Sequence, residues 1–176
     1  AVVFYAGHGI EVDGQNYLIP SDARLARATS VDVEALPLST VTSVISGARK
    51  LGLVILDACR NNPFRARMAS DIGGRKRSIG RGLARVEPGD NELIAFAAAG
   101  GTEADDGDGQ HSPFTAALLK HIETPGIDVQ FVFRRVRDEV LDGTKRTQTP
   151  HLYGTLGGDP IYLGAPPSSI VAVAPG

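Results

Sequence analysis

The chain contains one cysteine, Cys59, and it closes the run Leu53-Val54-Ile55-Leu56-Asp57-Ala58-Cys59. A thiolate is a good nucleophile toward a carbonyl carbon. It needs an imidazole nearby, first to generate or hold the thiolate and then to protonate the departing amine. His8 could supply that imidazole. It closes a second apolar run, Ala1-Val2-Val3-Phe4-Tyr5-Ala6-Gly7-His8-Gly9, and its flanking glycines leave the ring unobstructed and let backbone approach a ligand. Taken singly, each residue has a plainer use, since a free cysteine is commonly a small buried hydrophobe and a lone histidine is commonly structural. Two apolar runs that each end in one half of a Cys/His pair are harder to obtain by accident.

Both runs read as strands. Leu53–Leu56 is continuously apolar and branched, as expected of a strand buried on both faces of a parallel sheet, and Asn61-Asn62-Pro63 then breaks regular structure. Reactive side chains in open parallel sheets sit beyond the carboxyl ends of strands, where Cys59 and His8 both fall. The 51 residues from His8 to Cys59 leave room for a loop, a helix and a return. One crossover of that kind sets the two strands side by side.

Tyr5-Ala6-Gly7-His8-Gly9 and Asp57-Ala58-Cys59-Arg60 resemble the histidine and cysteine motifs of the caspase-like cysteine peptidases of clan CD, in particular the bacterial caspase homologues related to metacaspases and paracaspases. The caspase signature is Q-A-C-[RQG]-G with a histidine about 50 residues upstream. Asp57 here replaces the glutamine and Asn61 the glycine. The resemblance runs from Ala1 to about Leu163 and is specific at the two motifs. It implies an α/β fold, the caspase-hemoglobinase three-layer sandwich with a mostly parallel central sheet, and a His8/Cys59 dyad. Its oxyanion hole would be built from the backbone N–H groups of Gly9 and Cys59. In the family, two strands and two helices precede the histidine strand. The sequence is thus expected to be a fragment, with an open sheet edge beside Ala1–Phe4 and its own N-terminal segment as a partner.

Specificity follows from the same resemblance. Caspases that cleave after aspartate line the pocket for that residue (P1) with the glutamine that Asp57 replaces. A carboxylate there repels an acidic P1 side chain and attracts Arg or Lys, and a guanidinium can form a bidentate pair with it. Resemblance to Arg/Lys-specific relatives places a second acid at Glu103. The plainer readings are a loop-capping acid for Asp57 and a member of an acidic surface run for Glu103.

Length suits one domain with a real core, expected over 1–164, followed by a Pro/Ser/Ala-rich linker over 165–176. A net charge of −2 argues against a dedicated nucleic-acid binder. One cysteine excludes an internal disulfide and multi-cysteine metal sites and suits a reducing, cytoplasmic setting. No apolar run reaches the length of a membrane span.

Elsewhere, Asp13-Gly14 predicts a tight hairpin turn with Asn16–Ile19 as the return strand. Leu38–Lys50 reads as a helix capped by Ser39, with Val41, Val44, Ile45 and Ala48 on its apolar face. Arg65–Arg85 carries seven basic residues and one acid. It reads as a mobile, glycine-rich loop: a solvated linker or, as the resemblance to caspase-like enzymes cut between the nucleophile strand and the next strand implies, a self-cleavage loop with candidate sites at Arg75, Lys76, Arg77, Arg81 and Arg85. Leu93–Ala99 reads as the third core strand. The acidic turn after it, with Glu103, Asp105, Asp106 and Asp108, could hold calcium, but its spacing does not match an EF-hand loop, and a solvated loop is the favoured reading. Ser112-Pro113 starts a helix with Phe114, Ala117, Leu118 and Ile122 buried. His111 and His121 beside it read as capping or surface groups. Asp128 caps another helix, with Val129, Val132, Phe133, Val136 and Val140 inward. Pro160–Leu163 reads as the last strand.

Two functions from different classes fit. One is a cysteine endopeptidase that cleaves protein or peptide substrates after Arg or Lys. The other is a silent or dormant caspase-like interaction module that needs an N-terminal segment. The presence of both Cys59 and His8 favours the first, and the absent family strands favour the second.

Overall fold

The computed structural model describes residues 1–59, 83–99 and 109–167, with the backbone alone for Ala28 and Cys59. Its centre is one sheet of six strands: β1 (Val2–Val12), β2 (Gln15–Ile19), β3 (Leu36–Pro37), β4 (Gly52–Cys59), β5 (Glu92–Phe96) and β6 (His151–Thr155), in the order β3-β2-β1-β4-β5-β6. The three central strands β1, β4 and β5 run parallel. The pairs on both flanks are antiparallel. Among the described residues, four α-helices accompany it: α1 (Val31–Glu34), α2 (Leu38–Ile45), α3 (Pro113–His121) and α4 (Val129–Gly143).

The period of two along β4 and β5 divides the core. Leu53, Ile55, Leu93 and Ala95 pack against α3 and α4, through Phe114, Leu118, Val132 and Val136. Val54, Leu56, Ala58, Ile94 and Phe96 pack on the other face against Leu38, Val41 and Ile45 of α2. Both faces are thus covered, which accounts for the unbroken apolar run in β4. A third, smaller cluster under the hairpin joins Ile10, Val12, Tyr17 and Ile19 to Leu25 and Val31.

Local chemistry explains most element ends. Asp13 and Gly14 have φ of 53° and 82°, the doubly positive pattern of a two-residue hairpin turn. Ser112 accepts the Thr115 N–H and Asp128 accepts the Gln130 N–H, so both helices carry the expected caps. Gln148, 1% exposed, donates its amide to the Ala97 carbonyl at 2.9 Å. That bond fixes the chain leaving α4 to the end of β5.

Five expectations need correction. β1 does not end at His8 but runs on to Val12, because β2 takes over as its partner where β4 stops. Helix α2 ends at Ile45, short of Lys50, and its N-cap position is Pro37 rather than Ser39, with no side-chain cap. Val44 is exposed. The last strand is β6, His151–Thr155, whereas Tyr162 makes only an isolated bridge with Asp128. Gly154 inside β6 has a φ of 114°, and a Cβ there would collide with the Glu92 carbonyl. The glycine that obscures the strand in the sequence is therefore what lets it pair.

Candidate active site

β1 and β4 are in register from Val2–Leu53 to His8–Cys59. His8 and Cys59 are therefore direct neighbours on adjacent strands, about 5 Å apart across the ladder, at the last rung β4 offers. The expected crossover does set the two strands side by side. His8 is exposed.

β1 changes partners at this point, and Tyr5 marks the change. Its hydroxyl accepts the Ile19 N–H at 3.1 Å and lies 2.8 Å from the His8 carbonyl and 2.9 Å from the Ile19 carbonyl. It has one proton, so it donates to one carbonyl at a time. The first rung of the β1–β2 ladder is thus bridged by a phenol. Burial pushes the Tyr5 phenol above its ordinary value, against the opposing pull of those two backbone contacts. Gly7 makes room for the ring, since a Cβ there would stand 2.7 Å from the Tyr5 oxygen.

A two-residue turn makes Val12–Gln15 a hydrogen-bonded pair, and alternation then makes Gly9–Leu18 a non-bonded one. The Gly9 N–H consequently points away from β2, toward the side where β4 has just ended. Leu83 closes over Gly9, where a Cβ would meet its side chain at 2.8 Å.

Asp57 lies two residues before Cys59, opposite Ala6, and is 7% exposed. Its Oδ2 accepts the Ser112 hydroxyl and the Thr115 hydroxyl, each at 2.5 Å. It lines a groove of about 520 Å³ between β1 and α3. Ala6, Gln110, His111 and Ser112 line the groove near Asp57, and Val2, Phe4, Leu118, Leu119 and Ile122 supply its apolar wall. Val2, Phe4 and Leu119 are 55%, 49% and 58% exposed. Among the described residues, Val2–Gly7 pairs only with β4, so none of them lies along the opposite edge of this half of β1.

Glu103, Arg75, Lys76, Arg77 and Arg81 lie outside the described residues, as does the acidic turn considered for calcium. Among the described residues no group of three or more His, Cys, Asp or Glu side chains could hold a metal ion, and no helix is long and apolar enough to cross a membrane. Arg85 is described. Its guanidinium contacts Glu87 at 3.0 Å and stands 5.6 Å from the centre of the Tyr153 ring. His121 is remote from the pair, bound to Glu139 at 2.6 Å beside Lys120. The Lys120 ammonium holds the Glu139 carboxyl below its usual range; burial opposes it and His121 adds to it. Sequence reasoning missed the ties from Asp57 to Ser112 and Thr115, and the bridging role of Tyr5. The sequence marks Ser112 only as a cap.

A family model described as the caspase domain matches residues 1–159. Among solved structures, caspase-1 from Spodoptera frugiperda superimposes with a TM-score of 0.54 at 16% identity, covering 95% of this chain. The chain spans 62% of that structure's length. No curated protein sequence matches.

Proposed function

The chain belongs to the caspase-domain family, and we propose that it is a cysteine endopeptidase in which His8 and Cys59 form the dyad and Asp57 selects a basic P1 residue. Members of the family are cysteine peptidases that act on proteins. The observation that carries the reading to this chain is the rung that pairs His8 with Cys59 where β4 ends.

In this reading the Cys59 thiolate attacks the scissile carbonyl carbon, and its oxygen takes up the negative charge. The N–H groups of Gly9 and Cys59 receive that oxyanion. The orientation of Gly9 supports this, since its N–H is not spent on the β1–β2 ladder. The imidazolium of His8 protonates the leaving amine, and water then releases the acyl group. The Ala6–Asp57 rung lies about 7 Å below the dyad, the depth of a long side chain. The groove there has apolar walls and one carboxylate, which suits the aliphatic stem and cationic head of Arg or Lys. Glu103 would add a second acid.

The partners are protein or peptide substrates with a basic P1, and a segment N-terminal to Ala1 that would add a strand to the open edge of β1 and cover Val2 and Phe4. That uncovered apolar edge favours a second reading, in which the domain is dormant or serves as an interaction module until the edge is filled. A fluorogenic peptide panel with P1 Arg, Lys, Asp and Leu tests the proposal. Turnover confined to Arg and Lys is expected. A preference for Asp would overturn the pocket, and no turnover at any P1, with or without upstream sequence, would leave the module reading.

A further inference from the structure

Asp57 receives two hydroxyl donors from one turn of α3, and both go to the same oxygen. We propose that Ser112 and Thr115 are specificity-determining residues, which occupy Oδ2 and leave Oδ1 alone to meet a P1 cation. The inference rests on the P1 reading of Asp57 given above.

A carboxylate offers about four lone-pair sites, two on each oxygen. The Ser112 and Thr115 hydroxyls fill both sites on Oδ2. Among the described residues no hydrogen bond reaches Oδ1, although Asp57 lines the groove. The direction of the donors is fixed. Ser112 Oγ accepts the Thr115 N–H at 3.0 Å as the cap of α3, so its own proton remains for Asp57. The helix N-terminus adds partial positive charge behind the same oxygen. The carboxylate is thereby pinned against rotation and presents one oxygen to the groove.

A guanidinium gains its advantage over an ammonium by engaging both carboxylate oxygens in a fork. Oδ2 is already saturated here, so Asp57 cannot complete that fork. An end-on contact at Oδ1 serves Lys nearly as well as Arg. Ser112 and Thr115 therefore make the pocket accept both bases rather than Arg alone.

The test measures binding of three acetyl-tripeptide amides, identical except for a C-terminal Arg, Lys or citrulline, to the full chain carrying Cys59→Ala. Calorimetry gives the three dissociation constants. In this background Arg and Lys should bind within about threefold of each other and well above neutral citrulline. Thr115→Val removes one donor, opens a site on Oδ2 and should raise the preference for Arg over Lys by about five- to tenfold, within the range of an ordinary net hydrogen bond. Thr115→Ser should restore near parity. Ser112→Ala should act in the same direction as Thr115→Val, and supplies the comparison if that variant does not fold. An unchanged Arg:Lys ratio in both variants, with all ligands weakened together, would show that the hydroxyls only tie α3 to the sheet and would overturn the inference. Citrulline binding as well as Arg before either substitution would overturn the P1 reading itself.

Discussion

The Tyr5 hydroxyl fills the space in which a side chain on Gly7 would have to stand, 2.7 Å from the position of that missing Cβ. The two residues are therefore one device. The glycine lets the phenol fold back along β1, and the phenol holds His8 and Ile19 together as β1 passes from one partner strand to the next. Gly7→Ala should displace the ring and with it the His8 backbone. The expected loss is about 1–3 kcal/mol of stability, the usual range for an overpacked site, together with most of the peptidase activity. Tyr5→Phe, which keeps the ring and removes the bridge, should lose activity with a smaller change in stability. Urea titration and amidase assays on both variants check this. A Gly7→Ala variant as stable and active as the wild type would show that the contact is not needed.

The same phenol gives a pH dependence with a defined sign. Its value in the folded state lies above the ordinary 10.0 because burial disfavours the phenolate. The stability it contributes is therefore fully present below about pH 10 and is lost as pH rises through the folded value. As pH rises from about 10 through the folded value, wild type should lose stability more steeply than Tyr5→Phe, which has no proton to release there. Using the difference between the two removes the other tyrosines and the lysines from the comparison. Parallel curves would contradict the assignment.

Cys59→Ala and His8→Ala should each lower amidase activity by about a thousandfold or more, since neither residue can fill the other's role. Melting temperatures should stay close to wild type. His8 is already exposed, so removing its ring leaves no cavity in the core. Persisting turnover in Cys59→Ala would end the dyad reading.

Asp57→Asn keeps the shape of the side chain and removes its charge. With P1 Arg substrates it should cost about 2–4 kcal/mol in kcat/KM, the scale of leaving a buried cation without its partner. P1 Leu substrates should be little affected. A uniform loss across the panel would instead assign Asp57 to the tie with α3.

Much of this arrangement was legible in the sequence, because the signals were local. The continuous apolar run of β4, the Asp13-Gly14 turn, and the caps at Ser112 and Asp128 each specify structure within a few residues. The His8–Cys59 pairing could be anticipated because one crossover constrains parallel neighbours strongly. The rest depends on contacts distant in sequence. The bonds from Asp57 to Ser112 and Thr115 span 55 and 58 residues, and nothing near Asp57 announces them. The apolar run closes at His8 and Gly9, which hides the continuation of β1 to Val12, and the uses of the glycines are equally non-local, since Gly7 accommodates Tyr5 and Gly9 lies under Leu83. β6 was missed for the same kind of reason, at Gly154.

The basic loop offers the last test. If the pocket takes Arg or Lys, Arg75, Lys76, Arg77, Arg81 and Arg85 are substrates tethered to their own enzyme at high effective concentration. Arg85 differs from the others. The Asn16 side chain clamps the neighbouring residue at two points, donating to the Ala84 carbonyl at 2.8 Å and accepting the Ala84 N–H at 2.6 Å. Leu83 just before it is buried over Gly9. A scissile segment must extend into a cleft, so cleavage after Arg85 first requires both bonds to open. Mass spectrometry over a time course should find fragments ending at residues 75–77 and 81 in wild type and none in Cys59→Ala, with the Arg85 cut appearing last. Asn16→Ala should advance the Arg85 cut relative to the others. Equal fragments in wild type and Cys59→Ala would point to a contaminating protease, and an intact loop in a fully active enzyme would exclude self-processing as the route to activation.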